Sequence, residues 1–523
     1  MKKNNIMIKK IILFTTFTFS QAFSLTINVP EDFLDIQDAI DFSQDGDTIF
    51  VSPGVYFENI NFNGKSIMLS SNYIEDNDSL LIGVTIIDAG NEGSVVTFNS
   101  GENNNAILQG FTLQNGNGND EDPDNNGSFY TYGGGIYCEN SDPLIKDCII
   151  QNNTANEGGG AGIFCYDSSP IFFGCTIKEN ETDDVGGGLY ARDGSSPSFF
   201  DCIFMDNTAE FGGGCYLKSS SSPLMENVVF MQNNANNSGG GIGLKDDANI
   251  EASNLTISEN LAEGLGGGLY INNADPTFSF ALIVDNTASS GAGIYIRNNS
   301  EIDLTNITLA NNNAGLYGGG VYMRDNVTVN FTNSVLWNNG SNQIYFRSEG
   351  AEVELNVGYS IVENNQNGVE TNNNGDLNWL EGNLDSEPYF CSSSTGNYFV
   401  RENSPCLDGG LNGSLIGCLS AGCGPINLGP VWYVDSNGDN TSDGSLETPF
   451  ETIARAVNVS SDGDTIRLNP GVYTGSIDFG GKTLVLESRA FELEDDDIIS
   501  ETFFGPGPLG GNCFSLEGPD DEN

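Results

Sequence analysis

The 523-residue chain carries 72 acidic and 18 basic side chains, a formal charge of −54, together with 66 glycines, 11 cysteines and no histidine. Such a charge repels nucleic acid and anionic lipid and draws cations such as calcium, while the missing histidine removes His-dependent hydrolase and zinc schemes. Length and glycine content together exceed one ordinary compact domain and point to a repeat architecture.

Residues 1–24, MKKNNIMIKKIILFTTFTFSQAFS, place four lysines before an apolar run from Ile11 to Phe19 and small residues at Ser20 and Ala22. They read as a secretory signal peptide. The run is about half the ~20 residues that span a bilayer, and no later segment is longer, so no transmembrane helix is expected. Removal of these lysines takes the charge to −58. The reading makes the protein exported, either secreted or associated with the outer membrane or cell surface. Disulfides are then permitted, although an odd cysteine count leaves one thiol unpaired. Next, Asp35-Ile-Gln-Asp-Ala-Ile40 has short amphipathic spacing ahead of DGDTIFVSPGVYFENINFNGKSIML. A short helix capping the open end of a first coil fits that pattern. This opening resembles that of pectin methylesterases, but the paired Asp, Gln and Arg of that family's catalytic motifs have no match in the chain.

Glycine-rich corners then recur at Gly133, Gly160, Gly186, Gly212, Gly239, Gly266, Gly291 and Gly318, 25 to 27 residues apart. Two apolar positions follow each corner with a spacing of two, as in Ile136/Cys138 and Leu269/Ile271, which is strand spacing with both on one face. Further along each copy a turn position holds Asp147, Gly174, Asp201, Asn227, Asn254, Phe280, Asn306 or Asn333. All but Phe280 tolerate left-handed backbone, so a bend is expected there and is weakest at Phe280. Each copy closes on an asparagine: Asn153, Asn180, Asn207, Asn233, Asn260, Asn286, Asn312 or Asn339. A stacked amide ladder at that corner would satisfy backbone and side-chain groups together. Two or three short strands per coil, repeated in register, describe an all-β chain folded as a right-handed parallel β-helix with coils of ~26 residues. Stacking covers the strand edges that an isolated copy would expose.

Phe204-Met-Asp-Asn207 followed by Gly212-Gly-Gly-Cys-Tyr216 resembles the repeat of chlamydial-type polymorphic outer membrane proteins, and more broadly the right-handed pectin-lyase-like β-helix proteins of bacterial surfaces. The resemblance implies fold far more than activity. The first β-helix is assigned to 25–375 and a Cys-containing closing segment to 376–430. NLDSEPYF (383–390) and RENSPCLDGG (401–410) there resemble the closing segment of secreted bacterial β-helix proteins. Cys391, Cys406, Cys418 and Cys423 are disulfide candidates with three open pairings.

From 431 to 523 the opening returns with a constant offset of 417: DGDTI from Asp462, PGVY from Pro470, and Gly481-Lys482. A second β-helix therefore starts here, and Asn523 corresponds to Ala106 of the first. The sequence is expected to be a piece of a longer chain. WYVDSNGDNTSDGS, from Trp432 to Ser445, resembles the opening segment of a β-helix family of unknown function. Asp435, Asn437, Asp439 and Asp443 offer hard oxygens to calcium, the one cofactor left open, although the EF-hand glycine and glutamate are missing; a polar turn is the alternative.

Between the two inward positions of each first strand stand Tyr137, Phe164, Tyr190, Tyr216, Gly243, Tyr270, Tyr295 and Tyr322. Just beyond the second inward position, Arg192, Lys218, Lys245, Arg297 and Arg324 share a column. An outward aromatic stripe beside a basic one in an acidic surface suits an acidic glycan, with Tyr190, Tyr216, Tyr270, Tyr295 and Tyr322 stacking on sugar rings. The alternative is a face whose tyrosines pack on one another and whose bases pair with Asp167, Asp193, Asp246 and Asp325. No catalytic residue is assigned, because no pair of carboxylates stands out. The expectation is a structural or adhesive surface protein, with a polysaccharide or cell-surface ligand as partner and no nucleic acid. The competing reading is a polysaccharide lyase or hydrolase of the pectin-lyase-like superfamily.

Overall fold

The computed structural model describes residues 24–76, 79–123, 127–474, 477–489, 502–505 and 514–515. The expected signal peptide lies outside these residues except for its last position. Contacts divide the chain into two units, one running to Asp385 and taking in Ile416–Cys418, the other formed by Ser386–Leu415 and the chain from Leu419 onward.

The first unit is a parallel β-helix. One coil shows how it is built. After the corner at Gly186, strand Leu189–Arg192 turns Leu189 and Ala191 into the core; Ser198–Phe200 turns in Phe199; Ile203–Met205 turns in Phe204. Each strand pairs in parallel with its equivalent in the next coil, as Leu189 with Cys215, Phe199 with Met225 and Phe204 with Phe230. Repetition produces three long sheets of 14, 12 and 12 strands among the described residues. The core between them is a continuous stack that includes Phe172, Phe199, Phe204, Phe230 and Phe278.

The corners follow the sequence pattern. Gly186 and Gly212 have φ of 69° and 66°, and a Cβ on Gly212 would sit 2.4 Å from the Cys215 carbonyl oxygen, so only glycine fits. All eight bend positions are left-handed, Phe280 included at φ 53°. The eight closing asparagines are buried and form one ladder. Asn233 Nδ2 donates to Asn260 Oδ1 at 3.0 Å and to the Phe204 carbonyl at 3.0 Å, and the Asn233 backbone N–H donates to the same Asn260 oxygen at 3.0 Å. The open end is closed by helix Ile36–Phe42, whose first amides donate to both Glu58 carboxylate oxygens and whose last carbonyls accept from Lys65 Nζ. Cys138, Cys148, Cys165, Cys175 and Cys202 remain thiols inside the stack.

A fourth, seven-stranded sheet runs outside the three, formed by the segments between the asparagine and glycine corners. It places Val185, Phe211, Ser238, Leu265, Ser290 and Tyr317 in one row, each paired with the next.

In the second unit, strands Phe390–Ser392, Asn397–Arg401 and Ala421–Cys423 make a small sheet crossed by the Cys391–Cys423 disulfide. Of the four candidate cysteines, Cys406 and Cys418 are instead free thiols. Strand Val431–Val434 and helix Ile453–Val459 then open a further parallel sheet. Lys482 Nζ donates to the carbonyls of Val457, Asn458 and Ser460, as Lys65 Nζ does to those of Ile40, Asp41 and Ser43. Residues separated by 417 thus make the same contacts.

Candidate functional site

The aromatic column points outward from the β-helix core, but it is not a solvent-facing stripe. Tyr190, Tyr216, Tyr270, Tyr295 and Tyr322 are between 2 and 9 % exposed. Two things bury them. The rings pack on one another, Tyr295 against Tyr322 with centroids 4.8 Å apart and Tyr270 against Tyr295 at 5.8 Å; the row on the fourth sheet also covers them, with Val185 and Phe211 against one group and Leu265 against the other. Burial pushes the phenols of Tyr190, Tyr216, Tyr270 and Tyr322 above their ordinary value, Tyr322 to about 12. Most of the expected stacking platform is therefore a second, outer core.

The basic column is exposed to a greater degree and in register: Lys218 pairs with Lys245, Lys245 with Asn272, Asn272 with Arg297, and Arg297 with Arg324. Its ends are ion-paired, and at the Arg324 end Asp325 is shared with Arg347, which leaves positive charge there. Arg192 Nε is paired with Asp193 and its guanidinium lies 5.8 Å from the Tyr166 ring centroid. Arg324 Nε lies 2.5 Å from Asp325 Oδ2. Lys245 Nζ is 3.9 Å from Asp246 in a largely solvated pair, worth little.

At one coil the outer core is broken. Gly243 stands in register between Tyr216 and Tyr270, and in the same coil the covering row has Ser238 between Phe211 and Leu265. With both large side chains missing, the aromatic residues separate into two clusters, one ending at Tyr216 and the other beginning at Tyr270. Beside this break, between Tyr216 and Tyr270, lies a cavity of about 400 Å3 lined by Asp184, Val185, Tyr190, Phe211, Tyr216, Lys218, Lys245, Tyr270, Asn272 and Arg297. Of the ten candidate glycan residues, Tyr190, Tyr216, Lys218, Lys245, Tyr270 and Arg297 meet here; Arg192, Tyr295, Tyr322 and Arg324 do not. Burial first, and Asp183 second, push the Asp184 carboxyl up, while Lys218 pulls it back. Asp184, Val185 and Phe211 went unnoticed in the sequence, although the covering row has a plain signature: its members immediately precede the glycine corners.

The oxygen-rich segment of the second unit is a set of capped turns. Asp435 Oδ1 accepts the Asn437 N–H at 2.8 Å and Asp439 Oδ1 the Thr441 N–H at 2.8 Å, which holds Asp439 below the usual carboxylate value. Asp443 Oδ1 accepts from Thr448 Oγ1 and Ser445 N, and Oδ2 lies 3.1 Å from Arg401 Nη1. Burial alone would push Asp443 up, but the hydrogen bonds from Thr448, Ser445 and Asn427 hold it down. Among the described residues no group of three or more His, Cys, Asp or Glu side chains is arranged to hold a metal, and no helix among them is long and apolar enough to cross a membrane.

The profile of the right-handed β-helix region matches residues 109–262 and 240–404. That is more than half of the chain, which belongs to this family. Residues 436–479 match a family described as protein of unknown function, DUF1565. No curated protein matches the chain. Solved structures that resemble it include pectate lyase Pel9A, at 13 % identity and a TM-score of 0.41 over 74 % of this chain and 91 % of that one. The A-module of mannuronan C-5 epimerase AlgE6 from Azotobacter vinelandii is similar at 12 % identity and a TM-score of 0.40, over 67 % of this chain and 93 % of its own. A pectin methylesterase from carrot is similar at 13 % identity and a TM-score of 0.22, over 70 % and 90 %.

Proposed function

We propose that the protein is an exported β-helix of structural or adhesive role that holds acidic polysaccharide against its outer basic column. One observation carries the reading. Lys218, Lys245, Arg297 and Arg324 lie in register on a single sheet of a chain whose formal charge is −54. Cations gathered on one face of an otherwise acidic molecule select a polyanion, and the regular spacing of the strands, ~4.8 Å, presents them as a linear array. Each exposed contact contributes about 1 kcal/mol or less, so binding is multivalent and weakens with salt.

Affinity electrophoresis through gels containing pectate, alginate or a sulfated glycan tests this. The full chain should be retarded, and the combined Lys218→Ser, Lys245→Ser, Arg297→Ser and Arg324→Ser variant should run as in a plain gel. Equal retardation of the two proteins overturns the reading. Release of unsaturated products from the same polymers would replace adhesion with lyase activity.

A further inference from the structure

The gap at Gly243 is the place where the outer core does not close on itself. In neighbouring coils either a column ring or a covering side chain fills the space, as Tyr295 does beside Ser290; in the coil of Gly243 both positions are small. The surrounding side chains are chemically uneven. Two phenol rings, Tyr216 and Tyr270, border the space along the column, and the mouth carries three cations, Lys218, Lys245 and Arg297, against one carboxylate, Asp184. Both tyrosines are neutral O–H donors at physiological pH, as an ordinary phenol is. A volume of about 400 Å3 sits at the low end of the roughly 300–1,000 Å3 of small-molecule pockets.

We infer that this break is a binding pocket for one anionic sugar ring of a polysaccharide. The ring sits between Tyr216 and Tyr270, and its carboxylate or sulfate is held by Lys218, Lys245 and Arg297. The inference rests on the acidic-glycan reading above and deepens it from a column that attracts polyanions to a single subsite that selects a residue. An apolar sugar face meets the parts of the Tyr216 and Tyr270 rings that border the cavity, the rest of each ring being buried. The anion meets an excess of positive charge, and Asp184 accepts from a sugar hydroxyl. Gly243 and Ser238 act indirectly: small residues at these register positions let the Tyr216 ring lean over Gly243 and leave Tyr216 and Tyr270 bordering the cavity rather than a third column ring. Gly243 φ is not in the left-handed region, and the nearest atoms to an added Cβ belong to the Tyr216 ring, Cδ2 at 2.7 Å, so a side chain there needs that ring to swing aside and no backbone to move.

The test fills the cavity without touching the cations. Trigalacturonate and a sulfated trisaccharide are titrated calorimetrically into the full chain, with maltotriose as the neutral control; Gly243→Tyr closes the gap from the column and Ser238→Leu from the covering row. The expected result is binding of at least one anionic trisaccharide, none of maltotriose, and at least tenfold weaker binding in each variant that keeps the native circular dichroism spectrum. Comparison of the two anions assigns carboxylate or sulfate. Wild-type affinity in a folded filled variant, equal binding of maltotriose, or no binding of either anion to the unmodified chain overturns the inference. Because the filled variants retain every basic residue, gel retention with unchanged trisaccharide affinity sinks the pocket while leaving the basic column standing; loss of retention in the unmodified chain sinks the column instead.

Discussion

Phe280 occupies a bend that its seven counterparts fill with Asp, Gly or Asn, and it adopts the same left-handed backbone at φ 53°. The stacked coils above and below dictate the bend, so the residue yields to the register. An L-residue with a bulky Cβ substituent is strained there by about 1–2 kcal/mol, and the Phe280 side chain, 44 % exposed, recovers only part of that in packing. Phe280→Asn should therefore stabilise the protein by about 1 kcal/mol, read as a higher urea midpoint at unchanged slope. A lower midpoint would mean that the ring's contacts outweigh the backbone strain. The inward thiols follow the same logic of register: Cys148 is pushed up to about 12 by burial and sits in the stack as a small apolar side chain.

At the scale of the element, the asparagine ladder is what turns a bend into a corner. Truncating one rung harms its neighbours more than itself. In Asn233→Ala, the Asn207 backbone N–H loses its acceptor, Asn207 Nδ2 loses one of its two acceptors, and the Phe204 carbonyl loses its side-chain donor. With about 1–3 kcal/mol for the one buried N–H left unsatisfied and about 1 kcal/mol for the further bonds lost, the loss should be on the order of 3 kcal/mol in chemical unfolding. A loss under about 1 kcal/mol would show that water replaces the rung. The ladder, the inward pairs and the glycine corners were legible in the sequence because each is one residue type returning at a fixed interval. The 417-residue offset was legible for the same reason, and it fixes contacts as specific as Lys65 and Lys482 on the last carbonyls of their helices. The burial of the tyrosines was not. Alternation along a strand says only that Tyr190 faces away from Leu189 and Ala191; what covers it, Val185 and Phe211, belongs to a fourth strand in a segment of varying length. The site suffered likewise, since Gly243 stood out as the lone non-aromatic member of its column but its meaning depends on Ser238 in the other row.

Across the whole first unit, the outer core ties the molecule's stability to alkaline pH. The folded-state values of Tyr190, Tyr216, Tyr270 and Tyr322 lie above the ordinary tyrosine value, that of Tyr322 at about 12. Folding therefore favours the protonated phenols. Their contribution is present in full below about pH 10, where the unfolded chain also keeps its protons, and is lost as pH rises from about 10 through 12. The net charge of −54 acts in the same direction, because every phenolate adds to a molecule that already repels itself. In a solenoid each coil is held by its neighbours, so a phenolate forced into one stack loosens the coils on both sides. The thermal midpoint should then fall steeply above about pH 10, and phenolate absorbance from the column should rise together with the loss of β-sheet circular dichroism. If these tyrosines instead ionise near pH 10 while the β-helix stays intact, the column is open to water and the covering row does not seal it. Gly243→Tyr adds one more buried phenol and should steepen the fall above about pH 10, whereas Tyr295→Ser, which opens a second gap, should lower the thermal midpoint already at neutral pH.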